Sequence, residues 1–206
     1  IPVSNTGVTA DGQLKVKELA REHVNKTDLR SSPAAFARPA PNHISRLNLA
    51  VSVDIILPVY NALDDVKACI SSLYESQTIP FNLIVIDDCS EHETQVWLVE
   101  EQKVRGFQLF RNTENLRFTK TVNRGFSESH GDYVVLLNSD TIVTAFWLEK
   151  ILACFQSDPS TGIVGPLSNA ASWQTVPVRE DKVNGGWLVN EIPPGYSIEM
   201  MGRLVE

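Results

Sequence analysis

Short apolar runs alternate with helical patterns from about residue 52 onward, and this alternation constrains the fold more than any other feature of the chain. Runs of apolar and β-branched residues predict five strands, over 53–57, 82–87, 107–110, 133–137 and 162–165. The segments between them predict helices over 62–77, 93–105, 119–131 and 145–156. Because runs without polar alternation are buried on both faces, the pattern predicts an α/β domain: a mostly parallel sheet flanked by helices.

The first 50 residues have a different character. Residues 11–30 predict one loosely amphipathic helix, and residues 31–43 contain three prolines among small residues, which is typical of an extended linker. The chain begins with Ile1 and lacks the charged start, apolar core and cleavage site of a signal peptide. We therefore expect it to be a truncated piece of a longer protein.

Charge and hydropathy argue against a protein that coats nucleic acid and against a membrane-spanning segment. The chain carries 18 Lys and Arg against 25 Asp and Glu, a formal net charge of −7, whereas proteins that coat nucleic acid present a basic face. No apolar run approaches the ~18 residues of a membrane span, so we expect no transmembrane segment in this chain. Cys69, Cys89 and Cys154 lack metal-ligand spacing and predict buried, reduced thiols in a cytoplasmic protein.

Polar and aromatic residues gather just after the predicted strands. In parallel sheets, ligands bind beyond the carboxyl ends of the strands. Each residue also has a structural interpretation: Pro58 could end a strand, and Asn61 could cap a helix. Taken together, the segments favour a ligand site, and they are 58–62, 87–90, 111–125 and 138–141.

Several catalytic motifs of α/β proteins are missing from the sequence. No glycine occurs between Val51 and Arg105, which argues against a dinucleotide fingerprint or a P-loop after the first strand. No Gly-x-Ser-x-Gly elbow and no Cys/His pair with zinc spacing is present. Asn138 occupies the position where an aspartate-nucleophile phosphatase needs its attacking carboxylate. What remains is a site with an aromatic ring and separated carboxylates.

The chemistry of these residues suits a nucleotide with a metal-bound diphosphate. Tyr60 could face a base ring, and the Asp88 carboxylate could accept from the imide N–H of uracil or thymine. Asp140 could bind Mg²⁺ or Mn²⁺, which prefer oxygen ligands and substrate phosphates. Such a cation would neutralise a departing diphosphate, the difficult part of moving a sugar from a nucleotide.

The segments "VDIILPVYNALDDVKACISSLYES", "FNLIVIDDCSEHET", "FRNTENLRFTKTVNRGFSESHGDYVVLLNSDT" and "GIVGPLSNAA" resemble family 2 glycosyltransferases of the GT-A fold. The resemblance covers about residues 52–178, with 28 positions from Tyr60 to Asp88 and 52 from Asp88 to Asp140. It implies that Asp140 ends a variant of the Asp-x-Asp motif and binds the metal and the diphosphate. It also implies a nucleotide-binding set: Pro58, Tyr60, Asn61, Asp87, Asp88, Asn123, Arg124, Asn138 and Ser139.

The resemblance implies an activity as well. We expect a nucleotide-sugar-binding domain over 51–178 and the start of an acceptor-side region over 179–206. The expected reaction transfers a sugar, with inversion, from a nucleotide-diphosphate donor to the hydroxyl of a glycan or lipid-linked acceptor. The setting would be bacterial polysaccharide or cell-envelope synthesis, in the cytoplasm or peripherally at the inner face of the membrane. Glu180, Asp181 and Glu191 resemble surface charges, so we expect the catalytic base beyond Glu206.

Two alternatives remain open at this stage. The domain could bind nucleotide-sugar without turnover, or, less in keeping with its glycine-free first loop, it could be a sugar nucleotidyltransferase. Two departures from the family pattern also matter. Asn138 replaces the first acid of the metal motif. Arg117 stands where glycine is expected, and it would be costly there if φ is positive; it could meet a phosphate or be a solvated loop charge.

Overall fold

The structure, a computed structural model, describes residues 47, 50–169, 174–175, 185–186, 189–192 and 194–200. The helix and linker predicted within residues 1–50 therefore lie almost wholly outside the described residues, as do Glu180 and Asp181. The chain divides into two units, residues 46–156 and the remainder. The first unit contains the sheet and its helices.

Between residues 53 and 157 the described chain forms four strands and four helices in strict alternation. In chain order they are β1 (Val53–Val59), α1 (Leu63–Glu75), β2 (Asn82–Asp87), α2 (His92–Arg105), β3 (Gln108–Arg111), α3 (Arg117–Glu128), β4 (Tyr133–Leu136) and α4 (Trp147–Ser157). The strands form one parallel sheet in the order β3-β2-β1-β4. β1 is central, and its Ile55 pairs with Leu83 on one side and Val135 on the other. The predicted GT-A type of fold, a parallel sheet flanked by helices, is confirmed.

Alternate residues of β1 face two different layers of helix. Ile55, Leu57 and Val59 join α1 and α2 in the larger apolar core, where Ile70, Leu73 and Leu98 are fully buried. Ile56 faces the opposite side and packs against Gly125 of α3. Burial on both faces explains why β1 and β2 lack polar alternation.

Pro58 does not end the first strand. β1 continues to Val59, and Pro58 pairs in register with Ile86 of β2. The ladder to β4 stops at Ile56, so Pro58 lies where β1 is paired on one side only. A residue without an N–H is tolerated in such a stretch.

The prediction of a fifth strand over 162–165 is wrong. The segment has no strand structure, and Ile163 is 91% exposed. Two apolar residues between glycines form too short a run to pair without a neighbouring strand. The one pairing described nearby is an isolated bridge between Ser168 and Thr175.

The cysteine prediction is right for one residue of three. None of the three cysteines forms a disulfide, but only Cys69 is buried; Cys89 is partly exposed and Cys154 exposed. Burial raises the pKa of the Cys69 thiol to about 12. No described helix combines the length and the apolar character needed to cross a bilayer.

Candidate functional site

A cleft of about 550 Å³ opens at the carboxyl ends of the strands. This volume is typical of small-molecule sites, which occupy roughly 300–1,000 Å³. All four β–α connections and the first turns of α1 and α3 surround it. The lining residues are Pro58, Val59, Tyr60, Ala62, Asp65, Asp88, Asn115, Arg117, Phe118, Thr121, Asn138, Ser139 and Asp140.

Non-glycine residues with positive φ lie in three of the four β–α connections and at the first residue of α3. The values are 56° and 50° for Asn61 and Ala62, 62° for Cys89, 64° for Arg117 and 62° for Phe146. A left-handed conformation costs an L-residue roughly 1–2 kcal/mol. Such strain concentrates at functional sites, where the surrounding structure holds it in place.

Asp88 is the most buried charged group of the cleft, at 4% exposure. Its Oδ1 accepts from Asn112 Nδ2 at 2.7 Å and from the Leu116 N–H at 2.8 Å. Desolvation is the largest influence and raises the pKa, but hydrogen bonds from Asn112, Leu116 and Thr121 outweigh it. The pKa of Asp88 therefore lies below its ordinary value, so the carboxylate is ionised at neutral pH and accepts hydrogen bonds.

Asn112 holds Asp88 in position through a network that ends at Arg124. The Asn112 amide nitrogen donates to Asp88 and, at 3.1 Å, to Thr121 Oγ1. Its amide oxygen accepts from Arg124 Nη1, which also donates to the Arg111 carbonyl at 2.8 Å. Both the amide nitrogen and the amide oxygen of Asn112 have a partner of the right polarity. The Asn112 side chain is therefore held in one orientation, and its hydrogen bond holds the Asp88 carboxylate in place.

Asp87 and Asn61 stabilise the loops beside the cleft. Asp87 accepts from the Ser90 N–H at 2.9 Å and forms an ion pair with Arg111. The Asn61 N–H donates to Ser90 Oγ at 2.9 Å, and Asn61 Oδ1 accepts from the Glu91 N–H at 2.7 Å. These bonds join the loop after β1 to the turn after β2.

The Asn138–Asp140 loop rests on the buried side of α1. Cys69 Sγ donates to the Asn138 carbonyl at 3.6 Å, and Ser72 Oγ accepts from the Val143 N–H at 3.1 Å. The Thr141 N–H closes the turn by donating to the Asn138 carbonyl at 3.2 Å. Burial is the main cause of the raised pKa of Cys69, and the negative charge of Asp140 adds to it.

The structure brings together only part of the predicted site. Pro58, Tyr60, Asp88 and residues 138–140 line the cleft. The other predicted residues are not among the lining side chains; they are Asn61, Asp87, Asn123 and Arg124. Three of these four support the loops, while Asn123 is exposed.

Sequence reasoning did not name four of the polar or aromatic residues of the cleft individually. They are Asp65, Asn115, Phe118 and Thr121. Asp65 sits in the first turn of α1, where a carboxylate is usually explained by the helix dipole. The other three lie in the 111–125 segment, which its position after the third strand had marked as part of a ligand site without singling these residues out.

The donor set of the cleft suits a hard divalent cation. Asp65 and Asp140 contribute carboxylates, and Asn138 and Ser139 contribute neutral oxygens. No cluster of three or more His, Cys, Asp or Glu side chains able to enclose a metal occurs within the described part of the chain. Mg²⁺ does not require such a cluster, because one or two carboxylates, together with waters and substrate phosphates, suffice to bind it.

Comparison with known proteins relates the chain to sugar-transferring enzymes. Residues 54–183 match the family model "Glycosyl transferase family 2". Over 112 residues the chain is 28% identical to an uncharacterized glycosyltransferase of Haemophilus influenzae, covering 54% of this chain and 37% of that protein. It is 29% identical over 101 residues to TuaG of Bacillus subtilis, a putative teichuronic acid biosynthesis glycosyltransferase, covering 48% of this chain and 40% of that protein. The chain thus spans well under half the length of these curated relatives.

A solved structure shares the fold. It is a mannosyltransferase from Pyrobaculum calidifontis in complex with GDP-Man and Mn²⁺, with a TM-score of 0.55 and 16% identity. The match covers 76% of this chain and 45% of that protein. A likeness at this identity concerns the arrangement of helices and strands.

Proposed function

The chain belongs to glycosyltransferase family 2, and from this premise we propose that its cleft binds the nucleotide of a nucleoside-diphosphate sugar donor. One observation carries the proposal: a single cleft at the carboxyl ends of the strands combines an exposed aromatic ring, a buried carboxylate and a second, exposed carboxylate. These groups suit the base, the base edge and the metal-bound diphosphate respectively.

Base recognition is assigned to Tyr60 and Asp88. Tyr60 is 53% exposed and lines the cleft, so its ring is available to stack on a base. Asp88 stays ionised because its pKa is lowered, and an ionised carboxylate accepts hydrogen bonds only. An acceptor of this kind favours a base with an imide N–H, as in uracil or thymine.

Diphosphate binding is assigned to Asp140 together with a divalent cation. Asp140 is exposed at the mouth of the cleft, and Asp65 lines the same cleft from α1. Mg²⁺ or Mn²⁺ bound there would supply positive charge against the leaving diphosphate. Asn138 and Ser139 offer hydrogen-bonding groups to hydroxyls of the donor.

The full reaction is proposed to proceed with inversion at the anomeric carbon. An acceptor oxygen, losing its proton to a base, forms the new bond as the bond from carbon to the diphosphate oxygen breaks, and the nucleoside diphosphate leaves with that electron pair. We expect the base beyond Glu206, so the donor site is tested here by binding and not by turnover. Relatives such as TuaG and a poly-beta-1,6-N-acetyl-D-glucosamine synthase of Staphylococcus aureus, 25% identical over 112 residues, support a role in cell-envelope polysaccharide synthesis.

Calorimetric titration with UDP, dTDP and GDP, each with and without Mn²⁺, tests the donor site. We expect one nucleotide to bind, UDP or dTDP in preference to GDP, and Mn²⁺ to strengthen its binding. Asp140→Ala should remove that strengthening, whereas Asp64→Ala should not, since Asp64 is an exposed carboxylate of α1 that does not line the cleft.

Two further results would decide between the donor-site proposal and its alternatives. Absence of binding by all three nucleotides, in protein shown by circular dichroism to be folded, would contradict the donor-site proposal. Activity that appears only when the chain is extended past Glu206 would assign the acceptor base to the added residues and exclude a module that binds without turnover.

A further inference from the structure

We propose that the Arg117 guanidinium binds the diphosphate of the nucleotide directly, so that nucleotide binding has a component independent of divalent metal. The inference rests on the donor site proposed above. It concerns a residue that stands where the family resemblance implies glycine.

The charges around the cleft single out Arg117. Among the described residues that line the cleft, Asp65, Asp88 and Asp140 are acidic and Arg117 alone is basic. Asn138 adds no charge to the loop that ends at Asp140. A diphosphate entering this cleft therefore meets three carboxylates, and among the described lining side chains only that of Arg117 carries a positive charge.

The other two arginines near the strand ends are already engaged. Arg111 pairs with Asp87 and donates to the Ser90 carbonyl at 2.8 Å. Arg124 donates to Asn112 and to the Arg111 carbonyl. In contrast, no carboxylate of the described residues lies within ion-pair distance of Arg117, whose side chain is exposed. Its guanidinium is thus available to a ligand.

The backbone of Arg117 is held in a conformation that favours glycine. Its φ is 64°, and its N–H donates to Asn115 Oδ1 at 2.9 Å at the start of α3. Glycine would adopt this conformation without strain, yet the chain has an arginine at this position. Because a guanidinium offers two parallel donors to phosphate oxygens, an arginine at this position suits diphosphate recognition.

The experiment compares nucleotide and nucleoside binding in the presence of Mn²⁺ and in EDTA. The probes are UDP, dTDP and GDP with their nucleosides, and the proteins are the unaltered chain, Arg117→Gly, Arg117→Lys and Lys120→Ala. Arg117→Gly suits the backbone, so it removes the charge without adding strain. Lys120 is the matched control, because it is an exposed cation one turn along α3 that does not line the cleft.

We expect the unaltered chain to retain measurable nucleoside diphosphate binding in EDTA. Arg117→Gly should weaken that binding on the order of 10-fold or more, the effect of a lost charge-assisted hydrogen bond. Arg117→Lys should recover part of the loss, and Lys120→Ala should match the unaltered chain. Nucleoside affinity should stay within about two-fold in every variant, because a nucleoside carries no phosphate.

Three results would overturn the inference. Nucleoside diphosphate binding that depends on Mn²⁺ and disappears in EDTA would leave the proposed donor site intact and refute the role of Arg117. Equal affinity of Arg117→Gly and the unaltered chain in EDTA would do the same. Absence of nucleotide binding under every condition would refute both the donor site and this inference.

Discussion

Asp54 is a buried carboxylate at the start of β1, and at the scale of single residues it is the clearest structural anchor of the sheet. Its Oδ2 accepts from Ser129 Oγ at 2.9 Å and from the N–H groups of His130 and Gly131 at 2.7 and 2.8 Å. Its Oδ1 accepts from Asn82 Nδ2 at 2.9 Å. One side chain thus joins β1, β2 and the loop that leads into β4.

Asp54→Asn should destabilise the fold at neutral pH. The amide turns an NH₂ group towards at least one of the donors that the carboxylate satisfied, and hydrogen bonds to charged groups are worth about 1.5–3 kcal/mol. We therefore expect the free energy of unfolding, measured by urea denaturation at pH 7, to fall by about 2–3 kcal/mol. Asp132→Asn is the matched control and should cost less, because Asp132 is exposed to water.

The same contribution should vanish in acid. Desolvation raises the pKa of Asp54, but hydrogen bonds from Asn82, His130, Ser129 and Gly131 together lower it below the ordinary 3.8. A pKa that is lower in the folded state means that the stabilisation is complete above the unfolded value and is lost as pH falls through the folded value. The difference in unfolding free energy between the unaltered chain and Asp54→Asn should therefore shrink below about pH 4. A difference that is constant from pH 7 to pH 3 would contradict this assignment.

The positive φ of Arg117 leads to a second prediction for a single residue, which concerns stability. Relief of positive φ gains roughly 1–2 kcal/mol, and the greater freedom of glycine in the unfolded chain takes back part of it. Arg117→Gly should therefore leave the unfolding free energy unchanged or raise it by up to about 1 kcal/mol. Lys120→Gly, on the same helix in ordinary helical conformation, should lower it by about 1 kcal/mol. A loss from Arg117→Gly as large as that from Lys120→Gly would show that φ is not strained.

The packing of α3 against β1 positions the residues of α3 that line the cleft. A Cβ added at Gly125 would lie 2.3 Å from Ile56 Cγ2, and Ile56 is fully buried. Overpacking of this kind costs about 1–3 kcal/mol, so Gly125→Ala should lower the unfolding free energy by that amount. Because α3 also carries Phe118 and Thr121, we expect nucleotide affinity to fall as the helix is displaced.

Gly162→Ala provides the control for this element. A Cβ there meets no atom within 4 Å, so the same chemical change should alter stability by less than about 0.5 kcal/mol. Gly125→Ala with unchanged urea midpoint and unchanged nucleotide affinity would contradict the close packing of α3 on β1.

The elements differ in how much of them the sequence could predict. β2 was predicted at its observed bounds because its apolar run is long and ends in a carboxylate. The 162–165 run failed, since a strand also needs a neighbour, and a local pattern carries no information on what lies beside it. The extension of β1 through Pro58 was missed for the same reason: it depends on where β4 ends.

The candidate site shows the same division between local and non-local information. Tyr60, Asp88 and Asp140 could be found because they follow strands directly. Asn112 could not, because its role depends on Arg124 and Thr121, which lie about one helical turn apart on α3. Arg124 was expected near the nucleotide, yet its guanidinium faces the network behind Asp88. The assignment of all predicted site residues as nucleotide-binding stays a prediction.

At the scale of the whole molecule, the two ends of the sheet have different roles, one in stability and the other in the proposed ligand binding. At the amino end of β1, Asp54 satisfies loop donors and is not among the residues lining the cleft. At the carboxyl end, Asp88 and Asp140 line the cleft, as do Ala62 and Arg117, two of the residues with positive φ. Stability and ligand binding should therefore respond to different substitutions. Asp54→Asn is expected to change the urea midpoint with little effect on nucleotide affinity, and Asp140→Ala the reverse.

The division of the chain into two units leads to a final prediction. The unit formed by residues 46–156 contains the whole sheet, both apolar clusters and every lining residue of the cleft. A shortened chain of residues 46–157, which keeps α4 to its end at Ser157, should therefore fold cooperatively. It should also bind the preferred nucleoside diphosphate within about two-fold of the 206-residue chain, a difference of less than about 0.5 kcal/mol. Circular dichroism during urea denaturation and calorimetric titration with Mn²⁺ measure the two properties. A shortened chain that folds but binds more than about ten-fold more weakly would assign part of the nucleotide site to residues outside 46–157, because those residues would then supply the missing binding free energy.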